Sequence, residues 1–361
     1  MKSVDDQARG GEPAAAALAE RISLSLSAAA YARGKIRLTD ALPGERTHVV
    51  ASRQGLYAVD RSGWTLIAHG MFFGMTRRDD ETFYAFECCD VPTAPSRMGR
   101  IVRLRIVDGR IAAADVMAQG LDNGCHQIEY VGGLLCVTDT YGQRILAYDD
   151  AFAPVEIPQP FKPVARREWM LGYHHLNTIL PVEDRILILL HNGTRETGRP
   201  SAIAVLDRDW RILGQWTLAA GGCHDLAVLA DGTLISCGSA TGELITLAGR
   251  RKTLSPVMTR GLSVEPDGIV VGSSTFAARH ARLATPGSVM FLNADWEMEA
   301  EIPLPGAPTA IMRRAGADWT LPGTLGPETA GSGTAGPETI TGVPRMPDRA
   351  LEPWREEPGG D

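Results

Sequence analysis

Nowhere in the 361 residues is there an apolar run of 18 or more, so no helix readable in the sequence spans a membrane. There is no block of Lys and Arg to track a phosphate backbone either. The 36 basic residues are spread among 43 acidic ones for a net charge of −7, an ordinary water-facing surface. The six cysteines (Cys88, Cys89, Cys125, Cys136, Cys223 and Cys237) show no C-x-x-C spacing and mostly sit in apolar strand patterns. Buried, reduced thiols are expected of them. Gly-x-Ser-x-Gly, Walker A and dinucleotide-type glycine patterns are missing, and His174-His175 has no helical surround to make it a zincin motif. The stretch AAAALAERISLSLSAAAYA would be the candidate export signal, but Glu20 and Arg21 interrupt it and the acidic pair Asp5-Asp6 stands where a basic region belongs. Residues 12–33 are therefore expected to form a surface helix or a frayed leader on a cytoplasmic protein. The expected partner is a small-molecule substrate, with no nucleic acid and no membrane.

What is present is repetition. A short alternating strand, an Asp or polar pair, and a second alternating strand recur at 55–69, 100–114, 144–157, 202–216, 243–257 and 288–302. Copies start 45, 44, 58, 41 and 45 residues apart, the spacing of four-stranded propeller blades. The insertion HNGTRETGRPS (191–201) accounts for the long interval. Helical spacing is rare between residues 45 and 312, and the 39 glycines suit a fold with many turns. The first unit lacks an innermost strand, while a spare one, APTAIMRR (307–314), follows the sixth. The expectation is an all-β, six-bladed β-propeller closed by a C-terminal strand that completes the N-terminal blade, which leaves no open sheet edge. Seven blades are the alternative if KIRLTDAL (35–42) starts a blade of its own. Residues 1–44 form the N-terminal helix or leader segment, 45–314 the propeller, and 315–361, rich in Gly, Pro, Thr and Glu, a disordered tail.

Innermost strands line a propeller's axis, so a residue type repeated at their heads forms a ring. His126, His175 and His224 head three consecutive inner strands at equal intervals of 49 residues. Three neutral imidazoles with a vacancy can hold a divalent transition metal ion (Zn, Fe, Cu or Mn). A metal-free acid–base cluster and plain coincidence are the competing readings. Counting back from Asp267-Gly268 puts Arg260 at the matching place in the sixth blade, where a fixed cation could clamp a carboxylate or an oxyanion. In the second blade Met71, Phe72 or Phe73 faces the channel, and Phe73 is assigned to the substrate side with His69, His174 and Asn177. Tyr173 is a candidate proton-transfer group, and His174 replaces His175 if the register slips by one. Glu129 and Asp225 could orient the imidazoles through the second ring N–H. The first blade would contribute Thr309, while His69 and His48 stand near strand ends whose register is open, and either of them or His280 could supply a fourth histidine at the axis.

The segment VTDTYGQRILAYD (137–149) resembles the second and third strands of the NHL, SMP-30 and strictosidine-synthase-like six-bladed propellers, a likeness of repeat pattern over residues 45–314. The histidine ring is similar in concept to two metal-dependent propeller groups, the peptidyl-hydroxyglycine amidating lyases and the carotenoid-cleavage oxygenases. The lyases take their ligands from blades further apart, and the oxygenases need a fourth histidine. The leading expectation is a metal-dependent propeller enzyme acting on a small organic substrate in the central channel. Lyase, hydrolase or isomerase chemistry fits, and oxidative chemistry requires iron or copper. The alternatives are a non-catalytic ligand-binding or scaffold propeller and a metal-free enzyme using His and Tyr as acid and base.

Overall fold

The computed structural model describes residues 21–163, 172–256, 258–275, 285–314, 347 and 349–354. Its strands form six antiparallel sheets arranged as blades. Blade 1 is ordered β1 (Arg37–Leu38), β4 (Gly63–His69), β3 (Gly55–Asp60), β2 (His48–Ser52) and β25 (Pro308–Arg313). Blade 2 runs from β5 (Met71–Arg77) through β6 (Thr82–Cys88) and β7 (Gly99–Val107) to β8 (Arg110–Leu121). Blade 3 runs from β9 (Ile128–Val131) through β10 (Leu134–Asp139) and β11 (Arg144–Tyr148) to β12 (Pro154–Val155). Blade 4 holds β13 (Leu176–Val182), β14 (Arg185–Leu190), β15 (Ala202–Leu206) and β16 (Ile212–Thr217). Blade 5 holds β17 (Cys223–Val228), β18 (Leu234–Gly238), β19 (Glu243–Thr246) and β20 (Arg251–Thr253), and blade 6 holds β21 (Met258–Glu265), β22 (Gly268–Ser274), β23 (Gly287–Asn293) and β24 (Met298–Leu304). The chain is thus a six-bladed propeller. The C-terminal β25 pairs with β2, Val50 against Ile311, and closes the ring as the spare inner strand implies. Lys35–Leu42 founds no seventh blade; its strand β1 adds to the outer edge of blade 1 through Arg37 opposite His69.

The recurring polar pair is a turn. At the end of the third strand Asp149, Asp207 and Asn293 each accept, through Oδ1, the N–H groups two and four residues on, at 2.9–3.0 Å. The residue between those donors (Phe152, Trp210 and Trp296) takes a positive φ of 59–69°. Asx side chains make this turn locally, and the aromatic folds back onto the sheets: Trp210 and Trp296 are buried in interblade cores. Six apolar clusters fill the interfaces between neighbouring blades, including blade 6 against blade 1, where Val270, Val289 and Phe291 meet Val50 and Tyr57. Their residues alternate with those facing the opposite neighbour, as strands buried on both faces require.

Hydroxyls stitch adjoining blades near the axis. Thr140 donates to the Leu176 carbonyl (2.7 Å), Ser239 to that of Thr259 (2.5 Å) and Thr309 to that of Phe72 (2.7 Å), while Ser201 accepts from the Cys223 N–H (3.0 Å). Residues 21–32 are helical, with Ser27 and Ala30 buried and Leu24 packed against the core of blades 2 and 3. Below the helix lies a buried ion pair, Arg100 with Glu87 at 2.8 Å, and Arg100 also donates to the Lys35 carbonyl. Among the described residues no helix is long and apolar enough to cross a membrane. All six cysteines are unpaired and buried.

The segment read as a disordered tail needs correction at its far end. Glu352 forms a bridge with Gln215 at the rim of blade 4, its carboxylate accepts from the Thr217 hydroxyl at 2.6 Å, and Trp354 packs on Phe161 and His174. Residues 315–346 lie outside the described residues, as do 1–20 and His280.

Candidate functional site at the channel mouth

Inner strands do not run straight into the axis. β13, β17 and β21 slip register near their heads, between Leu176 and Ile179, His224 and Leu226, and Thr259 and Leu262, and β5 does so between Phe72 and Met75. Such bulges re-aim side chains that strict alternation would send elsewhere. His175 and Asp225 take positive φ values of 53° and 58°, and Gly261 one of 85°. The result is a ring of side chains at one end of the channel.

His126 and His175 are neighbours, ring centroids 5.1 Å apart and nearly perpendicular. A fourth histidine, absent from the three read in sequence, continues the array: His191 lies 4.6 Å from His175 and 5.0 Å from His224. Phe73 stacks on His126 at 5.6 Å, and the Arg260 guanidinium lies over Phe73 at 5.9 Å. Phe72 lies in the core between blades 1 and 2, while Met71 and Phe73 share the core between blades 2 and 3. Arg53, from the turn between β2 and β3, brings a second guanidinium to Phe73 at 5.6 Å. His126, His175 and His191 keep partial exposure, so the array is reached from the mouth.

Each of the three strand-head imidazoles is held by the residue two positions before it. The Gly124 carbonyl meets His126 Nδ1 at 2.5 Å and the Gly222 carbonyl meets His224 Nδ1 at 3.2 Å. In blade 4 the Tyr173 hydroxyl meets His175 Nδ1 at 3.2 Å. A carbonyl only accepts, so His126 and His224 carry the proton on Nδ1 and present a bare Nε2. His191 is the reverse: its Nδ1 accepts from the Gly193 N–H at 3.2 Å, leaving an Nε2–H donor. Gly124 serves close approach, because a Cβ there would sit 2.0 Å from the Tyr141 ring; Gly222 serves φ, at 66°. That is the physical content of the repeated Gly-Cys-His.

Burial, and then the Arg260 cation, hold three of the imidazoles neutral: His126 is pushed down to about 3, His191 to about 4, and His224 falls well below the ordinary imidazole value. Cys125 and Cys223, which precede two of the histidines, are buried thiols pushed upward by desolvation, Cys223 to about 11.

Several sequence expectations are corrected. Glu129 orients no imidazole; it accepts from the Thr76 hydroxyl (2.7 Å) and the Tyr130 N–H (2.8 Å) and lines the lower channel. Asp225 accepts from the Gly261 N–H at 2.7 Å, across to blade 6, because its bulged backbone turns the carboxylate that way. His174 leaves the channel for Phe161 and Trp354, one residue of register deciding its side. His69 is exposed on β4, three strands out from the innermost β25. His48 pairs with Glu265 at 3.0 Å between blades 1 and 6. Asn177 is buried and braces blade 5, its Oδ1 3.4 Å from the Asp225 N–H. Below the array the channel widens into a cavity of about 140 Å³ lined by Met75, Glu129, Asp225, Leu262 and Ile311 among others. Burial raises the Glu129 carboxyl there to about 7.

His191 was legible only through register. Its N–H donates to the His175 carbonyl at 3.2 Å, so it is the cross-strand partner that continues the β13–β14 hairpin. Arg53 carried no signal of its own, sitting in a turn between the second and third strands of blade 1.

No family model matches the sequence, and no curated protein matches it. Solved structures share its fold. The nidogen/laminin complex aligns with a TM-score of 0.51 at 12% identity over 74% of this chain and 98% of that one. A protein of unknown function from Bacteroides caccae aligns with a TM-score of 0.51 at 11% identity over 75% and 99%. A putative gluconolactonase gives 0.48 at 12% identity over 76% and 89%. At such identities the likeness is one of fold alone.

Proposed function

We propose that this protein is a propeller enzyme acting on a small, anionic organic substrate at the channel mouth, by proton transfer among His126, His175, His191 and His224. The observation that carries the reading is the contiguous run of four imidazoles beside Arg260, with their tautomers divided. His126 and His224 offer Nε2 lone pairs as proton acceptors, His191 offers an Nε2–H donor, and Tyr173 can supply or take a proton through His175. Acceptors and donors a few ångströms apart are what elimination, hydrolysis and isomerisation share. Imidazoles this far below neutral pH are weak bases beside the Arg260 cation, whose field also reaches the Asp225 carboxylate. A substrate anion seated at Arg260 offsets the cation and strengthens the bases at the moment of binding.

The proposal is tested by incubating the protein with a panel of small organic anions and following their loss by mass spectrometry. Turnover that falls about 100-fold or more in His126→Ala and His224→Ala, with unchanged melting temperature, supports it. Binding without turnover across the panel favours a ligand-binding propeller.

A metal-dependent version has one observation in its favour: a histidine whose Nδ1–H is committed to a carbonyl presents Nε2 as a ligand, as metal-bound histidines do. Against it, among the described residues no three His, Cys, Asp or Glu side chains stand close enough to hold one ion as placed. No step is therefore routed through a metal. Metal analysis of protein purified without chelators separates the versions. About one equivalent of Zn, Fe, Cu or Mn, lost in His126→Ala, supports the ion; well below one equivalent supports the side-chain mechanism.

A further inference from the structure

Next to the imidazoles, and reaching Arg260, lies a small cavity lined by Arg53, Arg260, Ser274, Thr275, Thr285 and Thr309, with apolar walls. We propose that it is a receptor for a tetrahedral oxyanion, the phosphate or sulfate group of the substrate. The inference rests on the enzymatic reading only for the word substrate; the receptor itself follows from the cavity.

Three features argue for this chemistry. The first is the donor set. Two guanidiniums from different blades line it with the hydroxyl side chains Ser274, Thr275 and Thr285, the Thr309 proton being given to the Phe72 carbonyl, and charge-assisted bonds from guanidinium to oxyanion are among the stronger ones. Blade 1 supplies Arg53, and blade 6 supplies Arg260 and Ser274, so donors approach from two sides. A planar carboxylate is satisfied by one guanidinium fork; donors on opposing sides suit the three terminal oxygens of a tetrahedral group.

The second is size. The cavity of about 20 Å³ has room for one or two water-sized groups. It takes in one or two oxygens of a head group, and the rest of that group and of an organic molecule must lie outside it. The third is placement. Both guanidiniums lie over the Phe73 ring, at 5.6 and 5.9 Å, and the same ring stacks on His126 at 5.6 Å. Phe73 is thus the wall shared by the anion receptor and the imidazole array. A monoester held by its head group would lay its ester linkage toward His126. Asp225 accepts from the Gly261 N–H and lines the lower channel, and the Arg260 cation reaches its carboxylate as well.

The test is calorimetric titration of the full chain with inorganic sulfate, inorganic phosphate, phenyl phosphate and acetate at matched ionic strength. Sulfate and phosphate are expected to bind about tenfold or more tightly than acetate. Arg53→Gln and Arg260→Gln should each weaken them by about tenfold or more, with circular dichroism and melting temperature near wild type. Arg53→Lys should restore part of the loss. Phenyl phosphate binding more tightly than inorganic phosphate identifies the head group of an ester; equal affinities identify the free anion as the ligand. Acetate binding as tightly as sulfate, or a well-folded Arg53→Gln that binds sulfate like wild type, overturns the receptor. His126→Ala separates the two readings. Anion binding retained in it, with no turnover of any ester by wild type, leaves the receptor standing and removes the enzyme.

Discussion

His191 donates its backbone N–H to the carbonyl of His175, and their rings stand 4.6 Å apart. One hairpin thus delivers two members of the array at once, from its two strands. If His191 is the Nε2–H donor, His191→Phe keeps the ring and removes the proton. Turnover of any substrate found is expected to fall about 100-fold or more, while the melting temperature stays close to wild type. Steady-state kinetics beside a thermal melt checks both.

Gly124 has no room to grow. Gly124→Ala places a methyl 2.0 Å from the Tyr141 ring, beside the carbonyl that fixes His126. The expected cost is about 1–3 kcal/mol of stability, read by denaturant unfolding, with loss of the fixed His126 tautomer read by ¹⁵N NMR of the ring.

Glu129 makes stability depend on pH in an identifiable direction. Its carboxyl is raised to about 7 in the fold, from an ordinary value of 4.5. Below pH 4.5 both states are protonated and there is no penalty. From 4.5 to 7 only the unfolded state ionises, so stability falls by up to about 1.4 kcal/mol per pH unit. Above 7 the penalty is constant. Glu129→Gln keeps the acceptor for Thr76 and the Tyr130 N–H and removes the titration. Its advantage over wild type should be absent near pH 4 and fully grown by pH 8. The depressed His126 and His191 act oppositely, losing stability as pH falls from 6.5 toward 3–4. For that reason the wild-type-minus-variant difference, and not the raw melting curve, is the measurement.

Arg100 and Glu87 pair at 2.8 Å with neither side chain exposed. Arg100→Met alone strands a buried carboxylate and is expected to cost about 3–5 kcal/mol; adding Glu87→Leu should recover much of it. A double-mutant cycle by chemical denaturation decides. Recovery of nothing would mean that the Lys35 carbonyl and the Tyr31 ring, which also meet Arg100, matter more than the pair.

The blades were legible because their signals are local. Alternation marks strands, Asp149, Asp207 and Asn293 mark turns within four residues, and the spare strand at 307–314 had one vacancy to fill. Heads of inner strands obeyed the count as far as His126, His175, His224, Arg260 and Phe73. What failed was direction. Bulges at the strand heads turn Asp225 away from the imidazoles and put a buried Asn177 between blades, and alternation carries no warning of an inserted residue. Arg53, His191 and Trp354 reach their places through contacts between distant strands, which no short window contains. The docking of Glu352 on Gln215 was hidden for the same reason.

Closure by β25 has a consequence for synthesis. The edge of β2 leaves the ribosome early, but its partner is the last strand of the ring. At about 5–20 residues per second the gap lasts roughly 13–50 s. Until then β2 offers a row of unpaired backbone groups along one edge. The nascent chain therefore carries that exposed edge through the making of five further blades, and a chaperone that shields strand edges would have its work concentrated on blade 1.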